Sequence, residues 1–138
     1  MINKINASDM LDSIENVLWP EFYCENDVYT IKPCNYSSKF WFDKTACESF
    51  VNHIHLNDYF YCDSCDKFRS TVFKIVDIWI IKLKHTFPNK HFMIFLTTEN
   101  SKWNKKSNCI LRFCLKREDE APWSTEKTNG KTFFVWEI

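Results

Sequence analysis

Glycine is nearly absent from this chain, since Gly130 is the only one among 138 residues. Phosphate-binding loops, dinucleotide fingerprints and nucleophile elbows all need several glycines, because the backbone must approach a phosphate or turn sharply there. The composition therefore excludes those sites. Long apolar runs are also missing: the most apolar stretch, 72–83, contains Lys74, Asp77 and Lys82 and is too polar to span a bilayer.

Arginine is scarce, with three residues against fifteen lysines, although the net charge is zero. Residues 1–66 hold four lysines and eleven acidic residues, residues 67–117 hold twelve basic and two acidic residues, and residues 118–138 hold two lysines and five acidic residues. This segregation of charge has three interpretations: a basic face that binds nucleic acid, two opposed faces that bind a charged protein partner, or pairing of the acidic and basic segments with each other in the fold. The scarcity of arginine disfavours nucleic acid, because guanidinium groups dominate base and bidentate phosphate recognition.

The chain has seven cysteines, an odd number that cannot pair completely within one molecule. Residues 1–6 lack the apolar run of a secretory signal. We therefore expect a cytoplasmic protein in a reducing compartment, with no membrane partner.

Hydrophobic residues make up 45% of the chain and aromatic residues 17%, which is enough for one well-filled core. No linker and no internal repeat divides the sequence, so residues 1–138 are predicted to form a single domain.

The periodicity of the apolar residues predicts a helix, two extended segments, two helices and three strands. This order indicates an α+β fold, with helices packed on a mainly antiparallel β-sheet. We expect Trp79 of the long helix and Phe95 of a central strand to share one core. The predicted elements are a helix capped by Ser8 and ended by Trp19-Pro20, extended segments 27–32 and 39–42, a helix capped by Asp43 that includes His53 and His55, a helix from Asp66 to before Pro88, and strands 92–96, 108–116 and 131–138.

Cys62 and Cys65 form a Cys-x-x-Cys motif before the long helix, where helix amides would lower the pKa of a thiolate. A thiol-redox domain is one interpretation, but no apolar strand precedes the motif. Zinc binding with His53 and His55 is another, but if both lie on the preceding helix, residues two apart point to different faces and cannot both ligate. Four ligands therefore require the helix to end before His53, whereas a site of two cysteines and one histidine stays open. We predict no metal and no cofactor.

The four histidines are scattered, and no serine, cysteine or aspartate stands in a recognisable catalytic motif. We therefore predict that the chain is not an enzyme. Trp103, within the basic segment 102–106, leaves open a basic-face nucleic-acid interaction through base stacking.

The second half of the chain resembles the bacterial immunity proteins of contact-dependent growth inhibition systems. The resemblance rests on Phe87-Pro88-Asn89-Lys90, strand 92–96, Leu111-Arg112-Phe113, Arg117-Glu118, Pro122-Trp123 and the final strand around Phe133-Phe134-Val135. It implies a small cytosolic protein without catalysis that binds and neutralises a cognate toxin domain, often a nuclease.

An inhibitor of a basic toxin gains from carboxylates for steering and aromatic side chains for anchorage. Two acidic groups are predicted to lie in projecting loops, and both are expected to bind the partner. The first group consists of Glu118, Asp119 and Glu120 with Trp123, and the second of Asp58, Asp63 and Asp66 with Tyr59 and Tyr61.

Overall fold

The computed structural model describes residues 14–34, 36–99, 108–120 and 132–138. Within these residues, three helices pack with two antiparallel sheets, so the predicted α+β fold is confirmed. In chain order the elements are α1 (Ile14–Leu18), β1 (Tyr23–Glu25), β2 (Val28–Thr30), α2 (Lys44–Val51), β3 (Ile54–His55), a 3-10 turn (Leu56–Asp58), α3 (Cys65–Thr86), β4 (Phe92–Thr98), β5 (Cys109–Leu115) and β6 (Thr132–Glu137).

The larger sheet has the order β3–β5–β4–β6, with every pair antiparallel. The smaller sheet is the hairpin β1–β2. Its turn is formed by Asn26 and Asp27, with φ of 53° and 59°. Asparagine and aspartate tolerate this left-handed region better than other non-glycine residues, which suits them to the two-residue turn of a hairpin.

The main core lies between α3 and one face of the larger sheet. Trp79 of α3 is fully buried there, and its indole Nε1 donates to the carbonyl of Val17 at 2.8 Å, which attaches α1 to α3. Every second residue of β5 faces this core, and so does every second residue of β4 from Phe92 to Leu96. The buried members from the two strands are Phe92, Ile94, Leu96, Cys109, Leu111, Phe113 and Leu115.

The prediction that Trp79 and Phe95 share one core is wrong. Phe95 is buried, but it lies outside the α3 cluster, and its ring packs on Phe133 of β6 at 5.9 Å between centroids. Successive residues of a strand point to opposite faces, so Ile94 and Leu96 take the α3 side and Phe95 the other.

A second, smaller cluster lies beside α2. Val28, Cys47 and Val51 are buried in it, and three partly buried side chains pack against them: Cys34, Tyr36 and Trp41. Segment 39–42, predicted to be extended, is instead a turn. Its aromatic residues resemble a strand in composition, but Trp41 packs on α2, with its ring 5.2 Å from that of Phe50, and no described strand pairs with the segment.

The second helix starts as predicted, with the Asp43 side chain accepting from the amide of Ala46 at 2.6 Å. It ends earlier than predicted, at Val51, and His55 pairs with Ile110 in the larger sheet. Within the described residues, no helix combines the length and the apolar character needed to cross a membrane.

Candidate protein-binding surface

Two buried polar side chains, one on α2 and one at its C-cap, join β2 to β5. Glu48 accepts hydrogen bonds from the amide of Tyr29 at 2.9 Å and from the amide of Leu115 at 2.7 Å. Asn52, one helical turn later, donates to the carbonyls of Tyr29 at 2.8 Å and Phe113 at 3.1 Å. Because β3 spans only two residues, these side chains satisfy backbone groups that a longer neighbouring strand would otherwise bind.

Arg117 completes this arrangement. Its guanidinium donates to both oxygens of Glu48, at 2.6 and 2.9 Å, and to the carbonyl of Asp27 at 2.6 Å. Glu48 has no exposed surface, and the side chain of Arg117 is almost fully buried. Desolvation lowers the pKa of Arg117, but Glu48 and Glu120 raise it by more, so the guanidinium remains charged.

Glu120 caps the start of α2 from a distant part of the chain. Its carboxylate accepts from the amides of Lys44 and Thr45 at 3.0 and 3.1 Å, and from the Thr45 hydroxyl at 2.8 Å. Desolvation opposes ionisation of this carboxyl, but those hydrogen bonds and the charge of Arg117 outweigh it and hold the pKa of Glu120 below its usual value. The bend 118–120 is therefore fixed against the first turn of α2.

Three phenylalanines are exposed around α2. Phe42 is 95% exposed, Phe40 82% and Phe50 59%. Trp41 lies between the first two in sequence and packs on Phe50, which places segment 40–42 next to the outer face of the helix. Single exposed apolar residues are ordinary, whereas a group of large aromatic side chains is a common mark of an interaction site.

The acidic bend and the aromatic segment lie next to each other. Phe42 is two residues before Lys44, and Glu118 is two residues before Glu120, which binds the Lys44 amide. Two residues span at most about 7 Å of chain, so both Phe42 and Glu118 lie close to this contact. Glu118 and Asp119 are exposed. We name the aromatic–acidic surface by five exposed residues: Phe40, Phe42, Phe50, Glu118 and Asp119.

A cavity of about 330 Å³ opens beside this surface. Glu118, Glu120 and Glu137 line it together with Lys116 and Arg117. Lys116 forms an ion pair with Glu137, and Arg117 binds Glu48 in the interior. Three carboxylates against two cations give the cavity an acidic balance, which suits the amine or guanidinium of a partner side chain.

The predicted acidic groups have different outcomes. Glu118 and Asp119 project as expected, but the expectation that Glu120 projects freely is wrong, because its carboxylate is bound to α2. Trp123 lies outside the described residues, as do Ser8, Gly130 and the basic segment 102–106.

The second predicted group surrounds the start of α3. Asp58, Tyr61, Asp63 and Asp66 are exposed, and Tyr59 is partly buried against the main core. Asp63 forms an ion pair with Lys67 at 3.0 Å. The binding role of this group stays a prediction.

The histidines and the Cys-x-x-Cys motif do not assemble a metal site among the described residues. His53 and His55 lie beyond α2, and their rings meet at 5.3 Å, so the expectation that they diverge on a helix is wrong. Cys65 is exposed at the first residue of α3, and the Cys62 thiol lies 3.9 Å from the Thr71 hydroxyl.

The exposure of the three phenylalanines and the buried Glu48–Arg117 pair are not predictable from the sequence pattern. Phe40 and Phe42 were assigned to a strand, where one of every two side chains would be buried. The spacing of Phe50 with Cys47, Val51 and Ile54 predicts a buried stripe on this helix, whereas Phe50 is exposed. A glutamate inside an apolar helix and an arginine after a strand, 69 residues apart, carry no local signal of pairing.

The sequence matches the family described as "Uncharacterized protein PM0498 family" over residues 2–132. No curated protein and no solved structure matches the chain.

Proposed function

The chain belongs to the PM0498 family, and we propose that it is an inhibitor-type protein that binds and neutralises a cognate bacterial toxin domain in the cytosol. The aromatic–acidic surface is the contact, and the toxin presents a basic face such as that of a nuclease. The resemblance of the second half of the chain to immunity proteins supports the partner class.

The observation that carries this proposal is the exposure of Phe40, Phe42 and Phe50. Aromatic side chains in water are unfavourable for an isolated protein, since each retains a large apolar area that burial would stabilise. At protein interfaces such residues are the usual anchors, because they contribute contact area with little loss of rotamer freedom.

The acidic side of the surface supports a basic partner. Glu118 and Asp119 are exposed at its edge, where carboxylates accelerate association with a basic protein and impose a salt dependence. Inhibitors of nucleases gain further from such groups, because carboxylates occupy positions that phosphates would take.

The scaffold beneath the surface favours binding without rearrangement. Glu48 and Arg117 fix β2, α2 and β5 together, and Glu120 fixes the acidic bend on α2. A contact surface held in its bound arrangement loses less entropy when the complex forms.

The proposal is tested by co-expressing the chain with the product of the gene immediately upstream, as the candidate toxin, and measuring bacterial growth and association rates. We expect Glu118→Lys with Asp119→Lys to slow association at least about tenfold at low salt, with a smaller effect at high salt. The matched control is Asp63→Lys with Asp66→Lys, which makes the same change in charge in the second acidic group.

The two double variants decide between the aromatic–acidic surface and the acidic group at the start of α3. An effect confined to Asp63 and Asp66 would move the contact to the start of α3. If neither pair changes the affinity, the acidic contact is wrong, and an interaction through the basic segment 102–106 becomes the favoured alternative.

A further inference from the structure

Cys34 and Cys47 meet in the small cluster beside α2. Cys47 is fully buried on the helix, and Cys34, in the segment that follows Pro33, packs against the cluster that contains it and is partly exposed. The Cys34 side chain is near enough to contribute to the raised pKa of the Cys47 thiol. Cys34 belongs to the segment before α2 and Cys47 to the helix itself, so the fold brings them into one cluster, whereas Cys62 and Cys65 are neighbours along the chain.

We infer that Cys34 and Cys47 form a reversible disulfide by exchange with a low-molecular-weight disulfide such as oxidised glutathione. The Cys34 thiolate attacks one glutathione sulfur, the glutathione disulfide bond breaks, and one glutathione thiolate leaves. Cys47 then loses its proton and attacks the Cys34 sulfur, which releases the second glutathione. The two cysteines are oxidised together, and one glutathione disulfide is reduced to two glutathione molecules.

Accessibility fixes the order of the two steps. Cys34 reaches solvent and takes up the first glutathione, whereas Cys47 has no exposed surface and reacts only with a sulfur already held beside it. Burial first, and then the nearby Cys34, raises the pKa of the Cys47 thiol to about 12. Burial persists when Cys34 carries glutathione, so the second step is slow at neutral pH and becomes faster as the pH rises and the thiolate fraction of Cys47 grows.

The disulfide would fasten the segment carrying Phe40 and Phe42 to α2. Tyr36 and Trp41 already pack on the cluster that contains the two thiols, so the link fixes a segment in the position it occupies. The consequence for partner binding rests on the proposed function: the oxidised chain holds part of the aromatic–acidic surface in place and binds more tightly.

Peptide mapping tests the disulfide without any partner. The intact protein is incubated with oxidised glutathione, its remaining thiols are alkylated, and it is digested with a protease that cleaves before aspartate. Cleavage at Asp27, Asp43 and Asp58 leaves Cys34 alone in peptide 27–42 and Cys47 alone in peptide 43–57. Cleavage at Asp63 separates Cys62 from Cys65.

We expect peptides 27–42 and 43–57 to be joined, and to separate on reduction. The variant with Cys62→Ser and Cys65→Ser should retain the link, and Cys34→Ser should lose it and leave Cys47 as a free thiol. Alkylation of both Cys34 and Cys47 after oxidation, or a link between peptide 27–42 and any other cysteine, would overturn the inference.

Thermal melting shows whether the link forms in the native arrangement. An unstrained bond that closes this loop should raise the melting temperature by about 5–10 °C. A lower melting temperature in the oxidised protein would mean that the fold must distort to form the bond, which contradicts the contact described.

Affinity for the toxin domain is a separate readout. If neither redox form binds the toxin, the proposed function fails, and the mapping result still decides the disulfide.

Discussion

Glu48 connects three parts of the chain, because its carboxylate binds β2, β5 and Arg117 at once. Burial raises the pKa of Glu48, and a bidentate guanidinium and two backbone amides offset only part of the cost of burying its carboxylate. The Glu48–Arg117 pair lies beneath the aromatic–acidic surface, so the loss of this pair should destabilise the whole scaffold rather than the surface alone.

Glu48→Gln should lower the free energy of unfolding by about 3–5 kcal/mol, since it leaves the buried Arg117 without its main counter-charge. Urea denaturation measures this loss. Asp63→Asn is the matched control, because it breaks an ion pair with Lys67 whose side chains are both well exposed, and it should cost less than about 1 kcal/mol. Equal effects of the two substitutions would show that the buried pair has no special role.

Glu120 makes the docking of the acidic bend sensitive to acid. Its pKa in the folded protein lies below the ordinary value of 4.5, so its contribution to stability is present above that pH and is lost as the pH falls through the folded pKa. Glu120→Gln should lower the free energy of unfolding by about 1 kcal/mol at neutral pH, as expected for the loss of a helix cap.

The pH dependence distinguishes this role from a general defect. The difference in unfolding free energy between the natural chain and Glu120→Gln should shrink as the pH falls through the folded pKa of Glu120, because protonation turns this carboxylate into a neutral group like the amide of the variant. A difference that stays constant over this range would contradict the capping role of the ionised carboxylate.

At the scale of elements, periodicity was enough to place the long helix and the strands around it. The α3 residues spaced three and four apart are buried, and the alternation in β5 gave the correct inward face. The end of α2 and the fold of segment 39–42 could not be predicted in this way. Both depend on contacts with distant residues, such as the pairing of His55 with Ile110 and the packing of Trp41 on Phe50.

The same limit applies to the candidate site. The exposed loop carboxylates Glu118 and Asp119 could be predicted, because runs of charge after a strand usually lie in solvent. The binding of Glu120 to α2 could not, since its partners lie about 75 residues earlier in the sequence.

The two faces of the larger sheet should behave as separate packing units. Trp79 belongs to the α3 side and Phe95 packs with Phe133 on the other side. We expect the losses in unfolding free energy from Trp79→Phe and Phe95→Leu to add within about 0.5 kcal/mol in the double variant. Chemical denaturation of the four proteins measures this, and a coupling above about 1 kcal/mol would show that the two side chains share one core after all.

At the scale of the whole molecule, the buried polar network fixes the elements that carry the exposed aromatic residues. Glu48 and Arg117 hold α2 against both sheets, Glu120 holds the acidic bend on α2, and the exposed side of this assembly carries Phe40 and Phe42. A fixed scaffold beneath the aromatic–acidic surface is what we expect of a protein that works by binding a basic partner.

The most direct test of that claim is the affinity of Phe42→Ser for the cognate toxin domain, measured by calorimetry. Ile81→Ser is the matched control, because Ile81 is also a well-exposed apolar residue but lies on α3. If the aromatic–acidic surface is the contact, Phe42→Ser should weaken binding by at least about 30-fold, as expected for an anchoring aromatic residue, with an unchanged melting temperature. Unchanged affinity in Phe42→Ser, or an equal loss in Ile81→Ser, would contradict the account.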